Sequence, residues 1–184
     1  MKVISGFLKG RNIEGFNING TRPTMDRVKE SLFASIQGYL NDSIVLDLFS
    51  GSGNLGIEAI SNGSKKVYFN DVSRDAIKVI NRNIDNFGIS DKSVVFNKDY
   101  KEALTELKNS NVVFDIIFLD PPYKKEVLNS VIDKILEYNL LSSNGIIVCE
   151  VSNDYINDNL RLERIKEKKY GDKLVIILKN IENE

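Results

Sequence analysis

The sequence predicts an α/β domain with a doubly wound, mostly parallel sheet and an antiparallel C-terminal hairpin. Short apolar runs alternate with stretches of helical periodicity, which is typical of β-α units around a parallel sheet. The runs are continuous Val, Ile, Leu and Phe, as in strands that are buried on both faces. Two late stretches, 162–169 and 173–179, flank the turn Tyr170-Gly171-Asp172, so they should pair antiparallel.

The elements follow in order along one chain. Residues 1–20 are punctuated by Gly and Asn and suggest a small hairpin or irregular arm, after which Thr24 is expected to N-cap a helix to Gln37. The pattern then predicts strands at 44–49, 66–69, 94–96, 113–119 and 145–151, and helices near 54–62, 73–87, 100–109 and 124–138. We divide the chain into an arm and helix, 1–40, and a main domain, 41–184.

The composition excludes several mechanisms. The 184 residues include one cysteine and no histidine, which rules out a Ser-His-Asp triad, a histidine metal ligand and an internal disulfide. We therefore expect no metal site. The single thiol, Cys149, falls in the fifth apolar run and is expected to be buried. Catalysis must use carboxylates, Lys, Tyr, backbone groups or a cofactor.

The charge is unevenly distributed, although 25 basic residues nearly balance 26 acidic ones. Residues 1–30 hold six basic and three acidic residues, so this segment could contact phosphate groups. The plain alternative is an ordinary solvated surface. The start of the chain lacks the apolar run of a signal peptide, and no run approaches the length of a membrane span, so we expect a cytoplasmic protein without membrane contact.

A glycine-rich segment follows the first predicted strand. Gly51, Gly53 and Gly56 form GxGxxG between a strand and a helix, the context in which this motif binds a nucleotide cofactor in Rossmann-like folds. Asp71 follows the second strand, where an acid commonly binds ribose hydroxyls. The spacing therefore predicts an adenosine-bearing cofactor.

The residue before the loop narrows the choice of cofactor. Asp47 would repel a pyrophosphate but suits a ligand that carries ammonium and sulfonium charges, such as S-adenosylmethionine. Asp99, after the third strand, could accept a hydrogen bond from the adenine amino group. It could equally be the N-cap of the following helix, and the sequence leaves both roles open.

The most specific motif is Asp120-Pro121-Pro122-Tyr123, directly after the fourth strand. The prolines fix the backbone, so the Pro121 carbonyl and the Asp120 carboxylate can together accept both hydrogens of an exocyclic amino group. Tyr123 offers a ring for stacking a base that has been flipped out. Glu150, at the end of the fifth strand, either shapes the same pocket or merely ends the strand.

These motifs resemble those of S-adenosylmethionine-dependent amino-methyltransferases with a [DN]PP[FYW] loop. The segment Arg22-Pro23-Thr24-Met25-Asp26-Arg27 ahead of the glycine loop is similar to the bacterial family that methylates guanine N2 in 16S ribosomal RNA. The resemblance spans nearly the whole chain. It implies a class I methyltransferase fold, S-adenosylmethionine as cofactor, and 16S rRNA or a small-subunit assembly particle as partner of a monomeric enzyme.

The resemblance also implies roles for individual residues. Catalysis falls on Asp120, Pro121, Pro122 and Tyr123, and cofactor contacts on Asp47, Ser50, Gly51, Gly53, Asn54, Asp71, Val72, Asp99, Tyr100 and Asp120. The N-terminal segment would contact RNA and close over the cofactor through Lys9, Arg11, Arg22, Thr24 and Arg27.

Three alternatives remain at this point. A DNA adenine-N6 or cytosine-N4 methyltransferase would share the catalytic residues, although 184 residues leave little room for a recognition domain. A non-catalytic RNA-binding or ribosome-assembly factor could use the same scaffold, but the intact Asp120 loop argues against a decayed site. A nicotinamide oxidoreductase is disfavoured by Asp47 and leaves the Pro-Pro loop unexplained.

Overall fold

The computed structural model describes residues 1–15, 23–121, 125–152, 156–158 and 161–181. Its helices are α1 (Pro23–Leu40), α2 (Asn54–Ser61), α3 (Arg74–Phe87), α4 (Tyr100–Asn109) and α5 (Lys125–Glu137). Its strands are β1 (Ile44–Asp47), β2 (Lys66–Asn70), β3 (Ser93–Phe96), β4 (Phe114–Leu119), β5 (Leu141–Val151), β6 (Leu162–Tyr170) and β7 (Lys173–Asn180).

The seven strands form one sheet in the order β3-β2-β1-β4-β5-β7-β6. The first five strands pair in parallel, whereas β7 pairs antiparallel with both β5 and β6. The strand order reverses beside β1, which is where open α/β sheets bind their ligands. The predicted fold class and C-terminal hairpin are therefore confirmed.

Helices cover both faces of the sheet. Alternate strand residues point to opposite faces, so each apolar strand contributes to two separate clusters. One cluster joins the sheet to the N-terminal arm and to helices α1, α2 and α3. The other joins it to α4 and α5. The Phe118 ring of β4 lies 5.9 Å from the Phe33 ring of α1, which places α1 over the middle of the sheet.

The N-terminal residues form a short hairpin that docks on the first cluster. Lys2 and Asn12 form an antiparallel bridge, and Val3, Leu8 and Ile13 are buried among sheet and helix residues. Helix α1 begins at Pro23, so the prediction that Thr24 caps it is wrong. Proline is favoured at the first helical position because its missing N–H would have no partner there.

A buried ion pair fastens this hairpin to the rest of the fold. The Lys29 ammonium lies 3.0 Å from the Glu58 carboxylate, and their side chains are 4% and 0% exposed. Glu58 also accepts hydrogen bonds from the N–H groups of Ile4 (3.0 Å) and Ser5 (2.8 Å). Lys29 donates to the Lys2 carbonyl at 2.6 Å. One pair of charges thus joins the hairpin, α1 and α2.

Candidate active site

Four carboxylates follow four neighbouring strands at the same edge of the sheet. Asp47 ends β1, and Asp71, Asp99 and Asp120 come directly after or close behind β2, β3 and β4. Because parallel strands share their carboxyl edge, these side chains and the glycine loop surround one region. The structure therefore brings together the predicted cofactor residues and the first residue of the predicted catalytic loop.

Asp47 is a buried carboxylate without a counter-ion among the described residues. It is 3% exposed, and its Oδ2 accepts a hydrogen bond from the Gly56 N–H at 3.0 Å. Burial raises the pKa of Asp47 to about 7, with smaller contributions from the charges of Asp120 and Asp71, while the Gly56 hydrogen bond opposes the rise. A cation bound here would relieve the cost of burying this charge.

The glycines beside Asp47 have two different tasks. Gly51 has φ of +54°, and a Cβ there would meet nothing within 4 Å, so its backbone turns sharply beneath open space. A Cβ on Gly56 would lie 2.2 Å from the Phe69 ring, so this glycine lets α2 pack against β2. Ser50 is buried, and its Oγ donates to the Asp47 carbonyl at 2.6 Å, so its side chain holds the turn together.

The segment after β2 is fixed by hydrogen bonds from its neighbours. Asp71 accepts from the Gly51 N–H at 2.9 Å and from the Ser73 N–H at 2.8 Å. The Asn97 side chain donates to the carbonyls of Asp71 (2.9 Å) and Val72 (3.1 Å). Val72 is 71% exposed, which leaves its apolar side chain free to cover a planar ligand. Asn97 is a supporting residue that the sequence analysis did not identify.

Asp99 adopts the second of its two predicted roles. It N-caps α4 through a hydrogen bond from the Lys101 N–H to its Oδ1 at 2.9 Å. A contact of this carboxylate with adenine stays a prediction. Tyr100 begins α4, and its ring lies 5.9 Å from the Phe49 ring, which follows β1. The two rings form an apolar wall beside the same edge.

Two buried polar residues, Lys29 and Asn83, hold the glycine loop in place through hydrogen bonds. The Asn54 side-chain oxygen accepts from the Lys29 ammonium at 2.8 Å, so this predicted cofactor residue is turned toward α1. Asn83 donates to the carbonyls of Ser52 (3.1 Å) and Glu14 (2.9 Å), which ties the loop to the N-terminal hairpin. The sequence analysis missed Lys29 and Asn83, although Lys29 interrupts the apolar face of a predicted helix.

Only the first half of the predicted catalytic loop lies within the described residues. Asp120 is solvent-accessible and Pro121 is half-buried, whereas Pro122 and Tyr123 lie outside the described residues. The walls of the site crowd the Asp120 carboxyl, and this desolvation raises its pKa, while the positive charge of Lys173 opposes the rise. Asp120 is therefore an accessible acceptor directly after β4, the strand that pairs with β1, which ends in Asp47.

Cys149 is confirmed as a buried core thiol. It is 0% exposed on β5, and burial raises its pKa to about 12. A thiol in this state is not a nucleophile at neutral pH. Its neighbour Glu150 is half-buried and forms an ion pair with Lys173, so it does more than end the strand.

The predicted RNA-binding residues are distributed over different parts of the molecule. Lys9 lies in a loop held to the C-terminal end of α2, opposite the glycine loop, because the Phe7 N–H donates to the Ser61 carbonyl at 2.9 Å. Arg11 donates to the Asn86 carbonyl at 2.6 Å and lies 4.7 Å from the Phe87 ring centre.

The other three predicted RNA-binding residues belong to the segment around the start of α1. Arg27 is exposed in the first turns of this helix. Arg22 and the side chain of Thr24 lie outside what the structure describes. An RNA contact through any of the five residues stays a prediction.

Neither a metal cluster nor a membrane-spanning helix is found among the described residues. No group of three or more Cys, Asp and Glu side chains among them could hold a metal ion. No helix in the described part of the chain has the length and apolar character needed to cross a membrane.

The residues present fit S-adenosylmethionine better than a dinucleotide. The buried Asp47 carboxylate needs a cation, and an ammonium group supplies one where a pyrophosphate would add repulsion. The open space over Gly51 and the exposed Val72 can receive a bulky adenosine. When bound, this cofactor supplies an electrophilic methyl group.

Two proteins with similar sequences are named as ribosomal RNA methyltransferases. The chain is 35% identical over 155 residues to "Ribosomal RNA small subunit methyltransferase D" of Haemophilus influenzae, covering 84% of this chain and 80% of that protein. It is 30% identical over 150 residues to the protein of the same name from Escherichia coli, covering 82% and 71% of the two chains.

Solved protein structures share this fold, in one case over nearly the whole length of both chains. The yhhF protein of Escherichia coli superposes with a TM-score of 0.85 at 25% identity and covers 98% of this chain and 97% of its own. The SMU.776 protein, 14% identical with a TM-score of 0.67 over 80% of this chain and 49% of its own, has the same fold and was solved with SAH. The family model described as "Conserved hypothetical protein 95" matches residues 1–179, and the chain belongs to that family.

Proposed function

We propose that this protein transfers a methyl group from S-adenosylmethionine to the exocyclic N2 amino group of a guanine in small-subunit ribosomal RNA. One observation carries the proposal. An accessible carboxylate, Asp120, follows the strand beside the one that ends in the buried Asp47, so an acceptor for an amino group adjoins a site for a cationic cofactor.

The chemistry requires positioning more than strong base catalysis. The amino nitrogen of guanine is a weak nucleophile because its lone pair is delocalised into the ring. If Asp120 and the Pro121 carbonyl accept its two hydrogens, they favour a pyramidal nitrogen and stabilise the positive charge that develops there. The proton can leave after transfer, when the methylated nitrogen is acidic, so the absence of histidine is no obstacle.

The RNA substrate is inferred from the relatives together with the exposed charges of this chain. Both relatives are named as methyltransferases of small-subunit ribosomal RNA, and the match covers more than two thirds of each. In A-form RNA the target amino group has to leave its stack to reach a protein pocket, and this costs a few kcal/mol. Exposed charges near the start of α1, such as Arg27, are suitable contacts for the flanking phosphates.

A transfer assay with labelled S-adenosylmethionine tests this function. We expect label in 16S rRNA or in small subunits isolated from cells that lack this protein, and none in duplex DNA. Asp120→Ala should still bind the cofactor measurably by calorimetry but lose methyl transfer, whereas Asp133→Ala on the exposed face of α5 should keep both at the wild-type level. Transfer to DNA alone, or equal turnover by Asp120→Ala, would overturn the proposal.

A further inference from the structure

A second charged pair lies next to Asp120. Leu119, the last residue of β4, is paired with Cys149 of β5 in parallel register, so Asp120 comes directly after β4 beside Glu150 of β5. Glu150 is paired with Val175 of β7, which begins at Lys173. The Lys173 ammonium forms an ion pair with Glu150 Oε1. Sheet register alone thus places one cation and two carboxylates at the same corner.

The three side chains point to the same face of the sheet. Val148 and Val175 pack in the cluster beneath α1, as does Phe118 on β4. Because side chains alternate along a strand, the residues two positions away point to that face as well. Asp120, Glu150 and Lys173 therefore all project toward the side covered by α1.

Negatively charged groups flank Asp120 on the sheet. Asp47 on β1 is near enough for the charge of Asp120 to raise its pKa, and the register of β4 and β5 places Glu150 on the other side. The first turns of α1 add Asp26 and Arg27, and β6 adds Lys168 and Tyr170, whose side chains contact Ser31 of α1. Among the described residues, Lys173 is the cation whose charge lowers the pKa of Asp120.

This arrangement has a consequence for the proposed reaction. A carboxylic acid has one acceptor oxygen fewer and carries no charge, so a protonated Asp120 would hold the guanine amino group poorly. Resting on the proposed function, we propose that Lys173, held by its ion pair with Glu150, is a positioning residue. It keeps the Asp120 carboxylate ionised and directed at the amino group of the target base.

The pH dependence of kcat/KM for methyl transfer to small-subunit RNA tests this role. Lys173→Met should move the acidic limb upward by about one pH unit, an approximately tenfold loss on the acidic side, with near-normal activity on the alkaline plateau. Glu150→Gln should move the limb in the opposite direction, because it removes a negative neighbour and leaves Lys173 unneutralised. Lys173→Arg, which keeps the charge, should preserve the wild-type profile.

The controls separate this role from a structural one. Lys179→Met lies at the far end of β7 and should leave the profile unchanged. If Lys173→Met does not fold, Lys173→Gln takes its place. A rate loss that is equal at every pH, or a shift in the same direction for Glu150→Gln, would refute the positioning role. A wild-type protein that methylates no ribosomal RNA would instead refute the proposed function.

Discussion

Replacing Asp47 with Asn should make the ligand-free protein more stable and its cofactor binding weaker. The Asp47 carboxyl is buried, and its pKa rises from 3.8 to about 7. At about 1.4 kcal/mol for each unit of pKa, this rise corresponds to a free-energy cost of roughly 4 kcal/mol for keeping the carboxyl ionised in the folded state above neutral pH. An Asn side chain can still accept the Gly56 hydrogen bond and carries no charge, so it avoids most of this cost.

The effect of Asp47 on the free energy of unfolding depends on pH. A carboxyl whose pKa is raised in the folded state holds its proton more tightly there, so folding is favoured at low pH. This stabilising contribution is complete below pH 3.8, the pKa of the carboxyl in the unfolded chain, and it is lost as the pH rises to about 7, its pKa in the folded state. The stability difference between Asp47→Asn and the wild type should therefore be small in acid and largest above neutral pH.

Urea unfolding followed by circular dichroism across this pH range measures the effect. Asp85→Asn on the exposed face of α3 is the matched control and should change little at any pH. Calorimetry should show weaker binding of S-adenosylmethionine to Asp47→Asn, because the carboxylate that receives its ammonium group is gone. A variant that is destabilised above neutral pH, or a stability difference that does not vary with pH, would show that the Asp47 carboxylate carries no burial cost.

Three further predictions follow from the packing. Gly56→Ala should destabilise the fold by about 1–3 kcal/mol, because its Cβ would lie 2.2 Å from an aromatic ring, whereas Gly38→Ala in the open face of α1 should stabilise it slightly in the same urea assay. Glu58→Gln should cost about 3–5 kcal/mol, since it leaves a buried lysine without its counter-ion. Cys149 should react with iodoacetamide only after unfolding, and Cys149→Ala should keep methyl transfer; labelling of the native protein would contradict its burial.

The strands and helices were largely predictable from the sequence because the local spacing of apolar residues indicates which residues are buried. β1 to β5 each contain a short apolar run, and helix α3 shows the expected apolar face. The length of β5 was underestimated, since its first four residues, 141–144, include two serines and an asparagine and do not resemble a buried strand. Leu141 pairs with Phe114 of β4, and the register then shifts before Ile146 pairs with Ile116, so the start of β5 depends on a tertiary contact and an irregularity that composition does not encode.

The candidate site was predictable only where a residue acts through its position along the chain. Asp47 and Asp120 follow recognisable strands, so their place at the sheet edge could be inferred. The ion pair of Lys29 and Glu58 and the pairing of Glu150 with Lys173 join residues that are distant in sequence. Such contacts depend on strand register and helix docking, which no local spacing encodes.

Nucleoside mapping of ribosomal RNA can show whether this protein methylates guanine N2 and whether it uses Asp120 to do so. Small-subunit RNA would be isolated from cells without this protein, from cells with it, and from cells with Asp120→Ala, and its nucleosides would be quantified by mass spectrometry. We predict one N2-methylguanosine that is present with the wild-type protein and missing both from cells without it and from cells with the variant. The same nucleoside content in all three RNAs would contradict the account.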